Sequence, residues 1–173
     1  MRTVRTKVYK FDELTDAAKQ KAIDWYRNTD TESFAFEQTK EDAEQIGLKI
    51  EYLSSREPNA GEFIEGATET AQAIMDQHGD QCETYKTAAA FIKDQIELVE
   101  KYSDGQQKNI VAEGNEDEYD SECDELEKEF LQSLLEDYRI MYENQRDYEY
   151  SDEYVTEQVR SNEYEFTQDG KIF

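Results

Sequence analysis

Cysteine, histidine and proline are almost missing from this sequence, which holds two, one and one of them. Cys82 and Cys123 stand far apart in the chain and make no disulfide framework. A structural zinc site wants four Cys or His ligands at local spacing, and no such cluster exists. His78, in DQHGD beside Gly79, reads as a helix-terminal histidine favoured by the dipole rather than a general base. Neither G-x-G-x-x-G nor G-x-x-x-x-G-K-[ST] occurs, so no phosphate-cradling loop is present. No apolar run approaches the roughly 20 residues that cross a bilayer. Met1–Lys10 is polar and basic, unlike a secretory leader, which predicts a cytoplasmic protein. No catalytic residue, metal or other cofactor is predicted, and the chain is not expected to be an enzyme.

Basic residues are also scarce. Nineteen Lys and Arg face 43 Asp and Glu, for a formal net charge of −24. That balance argues against direct contact with nucleic acid or an anionic membrane, whose phosphates want cations. A partner with a basic surface is the natural complement. The surplus is uneven: residues 111–173 carry 5 basic and 21 acidic side chains. What the chain does have is aromatic bulk, with twelve Tyr and eight Phe among its 173 residues. Large rings bury much area each, so one domain with a real core is expected despite the charge.

Pattern along the chain predicts a helix-rich α+β fold. Arg2–Phe11 reads as an edge strand. Thr15 or Asp16 caps a helix over 16–28, with Ala18, Ala22, Trp25 and Tyr26 on one stripe. A second helix spans 33–46 and ends at Gly47. Leu48–Ser54 alternates as a strand, and 55–62 reads as a loop holding the only proline. Phe63–Met75 has helical spacing, although its beginning also suits a short strand. Cys82–Tyr102 is a helix whose predicted buried stripe is Tyr85, Ala89, Ile92, Ile96 and Val99. Residues 103–120 read as a mobile acidic connection. Ser121–Glu149 is the strongest helix, with Leu126, Phe130, Leu134, Tyr138, Met141, Gln145 and Tyr148 close to a heptad seam. Leu131, Leu135 and Tyr142 broaden its apolar face. A short helix from Ser151 to Asn162 turns Tyr154 and Val159 inward, and a strand at Tyr164–Thr167 and a turn at Asp169-Gly170 follow. A small sheet is expected from both termini and Leu48–Ser54, helped by a basic first strand against an acidic last one.

Two stretches, VYKFDELTDAAKQKAIDWYR (Val8–Arg27) and SDEYVTEQVRSNEYEFTQDGKIF (Ser151–Phe173), resemble the ends of a family of small acidic phage and prophage proteins, some labelled antitoxin-like. The resemblance implies a phage origin and an α/β fold with paired termini. It carries over no functional residue. The middle departs: that family places a Gly- and aromatic-rich segment after the second helix, where this chain has SSREPNAGEF.

The remaining signal is acidic. Glu116–Glu129, EDEYDSECDELEKE, holds nine carboxylates in fourteen residues: Glu116, Asp117, Glu118, Asp120, Glu122, Asp124, Glu125, Glu127 and Glu129. The EF-hand pattern is absent, and negative charge is favourable at a helix start in any case. Continued along the long helix, Glu122, Glu125, Glu129, Glu136, Glu143 and Asp147 can share the face away from the leucine seam. A duplex presents one negative charge per about 1.7 Å, so such a rod of roughly 40 Å could imitate part of a phosphate backbone. Tyr148 and Tyr150 flank a helix break and suit an interface. These residues predict a phage-encoded inhibitor of a host defence or nucleic-acid-processing complex, of anti-CRISPR or anti-restriction type. It would act by nucleic-acid mimicry on the basic surface of a host nucleic-acid-binding protein. The alternative is an antitoxin-like or regulatory interaction module, a homodimer through the long helix included, with no mimicry.

Overall fold

The computed structural model describes residues 7–29, 34–103 and 114–173. They form a predominantly helical α+β fold. In chain order it runs β1 (Tyr9–Lys10), a 3-10 turn (Phe11–Glu13), α1 (Asp16–Thr29), α2 (Phe34–Gln45), β2 (Leu48–Tyr52) and β3 (Ala60–Phe63). There follow α3 (Ala67–Gln77), α4 (Glu83–Tyr102), α5 (Glu116–Glu149), α6 (Asp152–Ser161) and β4 (Glu165–Phe166). The contacts fall into two compact units: unit 1 is Met1–Phe36 with Glu143–Phe173, and unit 2 is Glu37–Tyr142.

Unit 1 joins the two ends of the chain. β1 and β4 pair antiparallel, with Tyr9 opposite Phe166 and Lys10 opposite Glu165. Lys10 stands opposite Glu165 in register, but its Nζ donates to the Glu163 carbonyl at 2.7 Å and forms no ion pair with Glu165. Arg2 and Arg5 lie outside the described residues. Thr15 Oγ1 accepts from the Ala18 N–H at 3.4 Å at the start of α1. The α1 stripe buries Ala18, Ala22 and Ile23 against Phe11, Leu14, Phe166, Val155 and Val159. Trp25 closes this core edge-on, 5.2 Å from Tyr164 and 6.0 Å from Phe166 between ring centres. Ser151 caps α6, accepting from the Tyr154 N–H at 3.2 Å. Gly170, at φ +82, turns the tail tightly over α1, where an added Cβ would collide with the Ala18 carbonyl oxygen.

Unit 2 packs a β-hairpin against helices. β2 and β3 are antiparallel, Leu48 opposite Phe63 and Ile50 opposite Gly61, with an irregularity between Ile50 and Tyr52. Gly47, at φ +84, ends the turn after α2. A Cβ on Gly61 would lie 2.9 Å from Leu135 Cδ2 and 2.6 Å from the Lys49 carbonyl, so glycine lets α5 sit close on the hairpin. The centre is aromatic: Phe91 of α4 stacks on Phe130 of α5 at 4.2 Å, and Phe63 follows at 5.5 Å. Tyr138 is fully buried and donates its hydroxyl to Asp42 at 3.0 Å. His78 caps the end of α3, its Nδ1 2.8 Å from the buried Thr84 hydroxyl.

Several expectations change. The single sheet of termini plus Leu48–Ser54 is two separate two-stranded sheets, because β2 takes β3 as its partner. Part of the predicted 55–62 loop is that strand, and α3 begins only at Ala67. Glu116–Asp120, expected within the connection, forms the first turn of α5, where carboxylates suit the helix dipole. Residues 104–113 of that connection lie outside the described residues. On α4 the buried residues are Thr84, Ala88, Phe91, Leu98 and Tyr102, whereas Ile96 is 57% exposed. The helix is apolar on two adjacent stripes, and the Phe91–Phe130 stack selects the one the spacing did not favour. On α5 the predicted seam is buried at Phe130, Leu134 and Tyr138 and half-buried at Leu126, and beyond Tyr138 it fails, with Met141 and Tyr148 exposed. From the second stripe Leu135 is buried and Tyr142 half-buried. On α6 it is Val155 that goes inward with Val159, while Tyr154 is half-buried.

Candidate functional site

The two units differ sharply in charge. Unit 2 carries 28 acidic and 9 basic side chains, net −19, and unit 1 carries 15 and 10, net −5. The anionic surplus therefore belongs to the helical unit built on α4 and α5.

On α5, a turn of about 100° per residue puts Glu118, Glu122, Glu125, Glu129 and Glu136 within an arc of about 60°. Phe130, Leu134 and Tyr138, all buried, face the other way. Glu118, Glu125, Glu129 and Glu136 are exposed and Glu122 is half-buried. Asp117, Asp120 and Asp124, also exposed, occupy the opposite flank of the helix. Glu116 is drawn back to the chain end of α5, accepting from the Gly114 N–H at 2.8 Å. The acidic run is thus split between two flanks.

The first flank meets α4 across an open groove of about 520 Å³. α5 contributes Glu122, Glu125 and Glu129; α4 contributes Asp94, Glu97 and Lys101. Leu98 and Leu126 supply the apolar lining. Lys101 is the one cation of the groove and is already engaged, donating to both carboxylate oxygens of Glu122 at 2.6 Å. Tyr102 adds its hydroxyl to Glu122 at 2.9 Å. The Lys101 hydrogen bond, then that from Tyr102, holds the Glu122 carboxyl below its usual range, and the same contact raises Lys101. Glu97 pairs with Lys93 at 3.1 Å. Asp94, Glu125 and Glu129 have no hydrogen-bond or ion-pair partner among the described residues. A smaller hollow of about 230 Å³ shares Asp94, Leu126 and Glu129 and continues the groove towards Thr87. There Thr87 donates to Asp137 at 2.7 Å, and burial pushes the Asp137 carboxyl up. Glu136 is neutralised locally, held low by Arg139, whose Nε donates to it at 2.8 Å.

The remaining predicted residues lie in unit 1. Glu143 is half-buried and engaged. Asp147 is exposed beside the Arg146 guanidinium at 3.3 Å. Tyr148 and Tyr150 are exposed; the Tyr148 ring lies 5.2 Å from Tyr154, and the Tyr150 carbonyl accepts from Arg27 at 2.9 Å.

Chemically, the groove sets five carboxylates and one engaged ammonium beside two leucines, an arrangement with the chemistry to accept cationic side chains. In such a groove a guanidinium or ammonium head can meet the oxygens while its methylene stem lies along Leu98 and Leu126. Among the described residues no three His, Cys, Asp or Glu are arranged to hold a metal ion. No helix there is long and apolar enough to cross a membrane. Sequence reasoning missed Asp94 and Glu97. Their spacing of three places them on one helix face, but which face meets α5 is decided by the Phe91–Phe130 stack. Comparison of the chain with family models, curated proteins and solved structures finds no match.

Proposed function

We propose that this protein is a phage-encoded acidic inhibitor of a host defence or nucleic-acid-processing complex, of the anti-CRISPR or anti-restriction kind. It binds a basic protein surface by imitating nucleic acid and performs no catalysis. The observation that supports this reading is the concentration of charge: unit 2 holds net −19, and Glu125 and Glu129 stand without a hydrogen-bond or ion-pair partner among the described residues along one groove. Aligned carboxylates over a low-dielectric wall focus field towards an approaching cation and speed its association. A phosphate-binding cleft is lined by the Lys and Arg that such a field attracts. Phage origin rests on the resemblance of the two ends of the chain.

The test is capture from a bacterial lysate across a salt series, with the wild type and a Glu118→Lys/Glu125→Lys/Glu129→Lys variant. Glu122 is left alone because it serves Lys101 and Tyr102 within the fold. The wild type should retain basic nucleic-acid enzymes at low salt and release them as salt rises. The variant should keep its helicity and bind about a hundredfold more weakly. Equal capture by the variant removes the anionic face from the mechanism.

A further inference from the structure

The α4 stripe that the fold leaves outside forms a second groove. Ile92, Ile96 and Val99 face Tyr119 and Cys123 of α5 across about 460 Å³, and the lining is mostly apolar. Ile96 is 57% exposed. Thr68 of α3 and Gln95 bond each other at 2.9 Å at one side, and Glu100 stands among the lining residues. Tyr119 packs edge-on against Tyr102 with 6.0 Å between ring centres, and the neighbouring Cys123 thiol, then burial, pushes its hydroxyl up to about 12. A single exposed isoleucine is ordinary, but an apolar groove walled by three helices marks a contact site.

On α4 this groove and the acidic one lie on opposite flanks, since Ile92, Ile96 and Val99 point about half a turn away from Asp94, Glu97 and Lys101. A partner seated over the exposed ridge of α4 would meet both. We infer that the apolar groove takes a leucine-like side chain from a cationic segment of the partner protein. The binding site on unit 2 is then bipartite, with charge on one flank of α4 and an apolar anchor on the other. Charge complementarity selects this occupant. A second copy would bring another net −19 against the first, and an uncharged peptide would gain nothing from the field. The inference rests on the protein-binding reading above and names the partner chemistry that reading leaves open.

The anchor explains how an acidic face can discriminate. Carboxylates alone accept any polycation, whereas a groove that excludes water rewards one apolar residue at the right place. The test uses two synthetic amidated peptides of equal length and lysine content. One carries leucines at helical spacing and the other alanines in their place. Fluorescence anisotropy on the full chain should show the leucine peptide binding about tenfold tighter, a margin that persists as salt rises. Ile96→Ser should abolish the margin and leave the alanine peptide unchanged. The leucine peptide should also shield Cys123 from a thiol reagent in a Cys82→Ser background.

Equal affinity for both peptides, or a margin that survives Ile96→Ser, overturns the anchor. So does a dimer that Ile96→Ser dissociates in sedimentation, because the groove then belongs to a second copy. A Cys123 thiol equally shielded without peptide overturns it too, with the chain itself as occupant. Binding of the leucine peptide alone sinks the anionic reading and keeps the anchor; binding of neither sinks both.

Discussion

Lys101 Nζ lies 2.6 Å from both carboxylate oxygens of Glu122, joining the end of α4 to the start of α5. This cation both fastens the two helices and cancels charge in the groove they form. Lys101 is exposed and the half-buried Glu122 still reaches solvent, so the bond contributes little to stability and weakens with salt. Its removal should therefore show in binding more than in folding. Lys101→Met should leave the thermal midpoint nearly unchanged and tighten binding of a lysine peptide severalfold at low salt. Anisotropy titration of wild type and variant in parallel checks this, and weaker binding by the variant contradicts it.

Asp137 makes the opposite kind of contact. Burial raises its carboxyl, with Glu83 and Glu136 adding repulsion, while the Thr87 hydroxyl works the other way. The folded protein then takes up the proton at higher pH than the unfolded chain does. Its charge opposes folding above the folded-state pKa, and that penalty fades as pH falls through it. Asp137→Asn keeps an acceptor for Thr87 and removes the charge. It should raise the thermal midpoint only slightly near neutral pH, because solvent screens the partly open carboxylate, with the gain lost as pH falls through the carboxylate range. A gain independent of pH would point to packing instead.

Tyr138 is a core residue with a polar obligation. Its hydroxyl donates to Asp42 at 3.0 Å from a site with no solvent exposure, and burial raises the hydroxyl further. Tyr138→Phe should cost about 1–2 kcal/mol in urea unfolding, because Asp42 loses its donor. Tyr138→Phe combined with Asp42→Leu should recover part of that loss.

Gly170 tests unit 1. Its φ of +82 and the nearness of the Ala18 carbonyl leave no room for a side chain. Gly170→Ala should destabilise the tail by about 1–3 kcal/mol. Trp25, the only tryptophan, sits in that core against Tyr164 and Phe166, so its fluorescence reports the transition.

These contacts also show what the sequence makes legible. The α1 stripe, the Gly47 stop, the Ser151 cap and the Asp169-Gly170 turn are local devices, and local chemistry announces them. Pairing of the termini is legible in the strand-forming residues at both ends, although Lys10 and Glu165 stand opposite without an ion pair. Choices between competing partners are not. Alternation alone suits β2 to either sheet, and only the Gly61 approach to Leu135 shows why the hairpin stays with α5. α4 offers two apolar stripes, and the tie is broken by Phe91 meeting Phe130 from far along the chain. The candidate site follows the same rule. Glu122, Glu125 and Glu129 stand out as a run, while Asp94 and Glu97 join them only once α4 has chosen its inward face.

The most direct measurement is competition. A basic nucleic-acid enzyme captured on the immobilised protein is challenged with duplex DNA at fixed salt. Mimicry predicts that DNA displaces the enzyme in proportion to its concentration, and that the Glu118→Lys/Glu125→Lys/Glu129→Lys variant never captures it. Simultaneous binding of DNA and this protein by the enzyme, with the captured amount unchanged, contradicts the account.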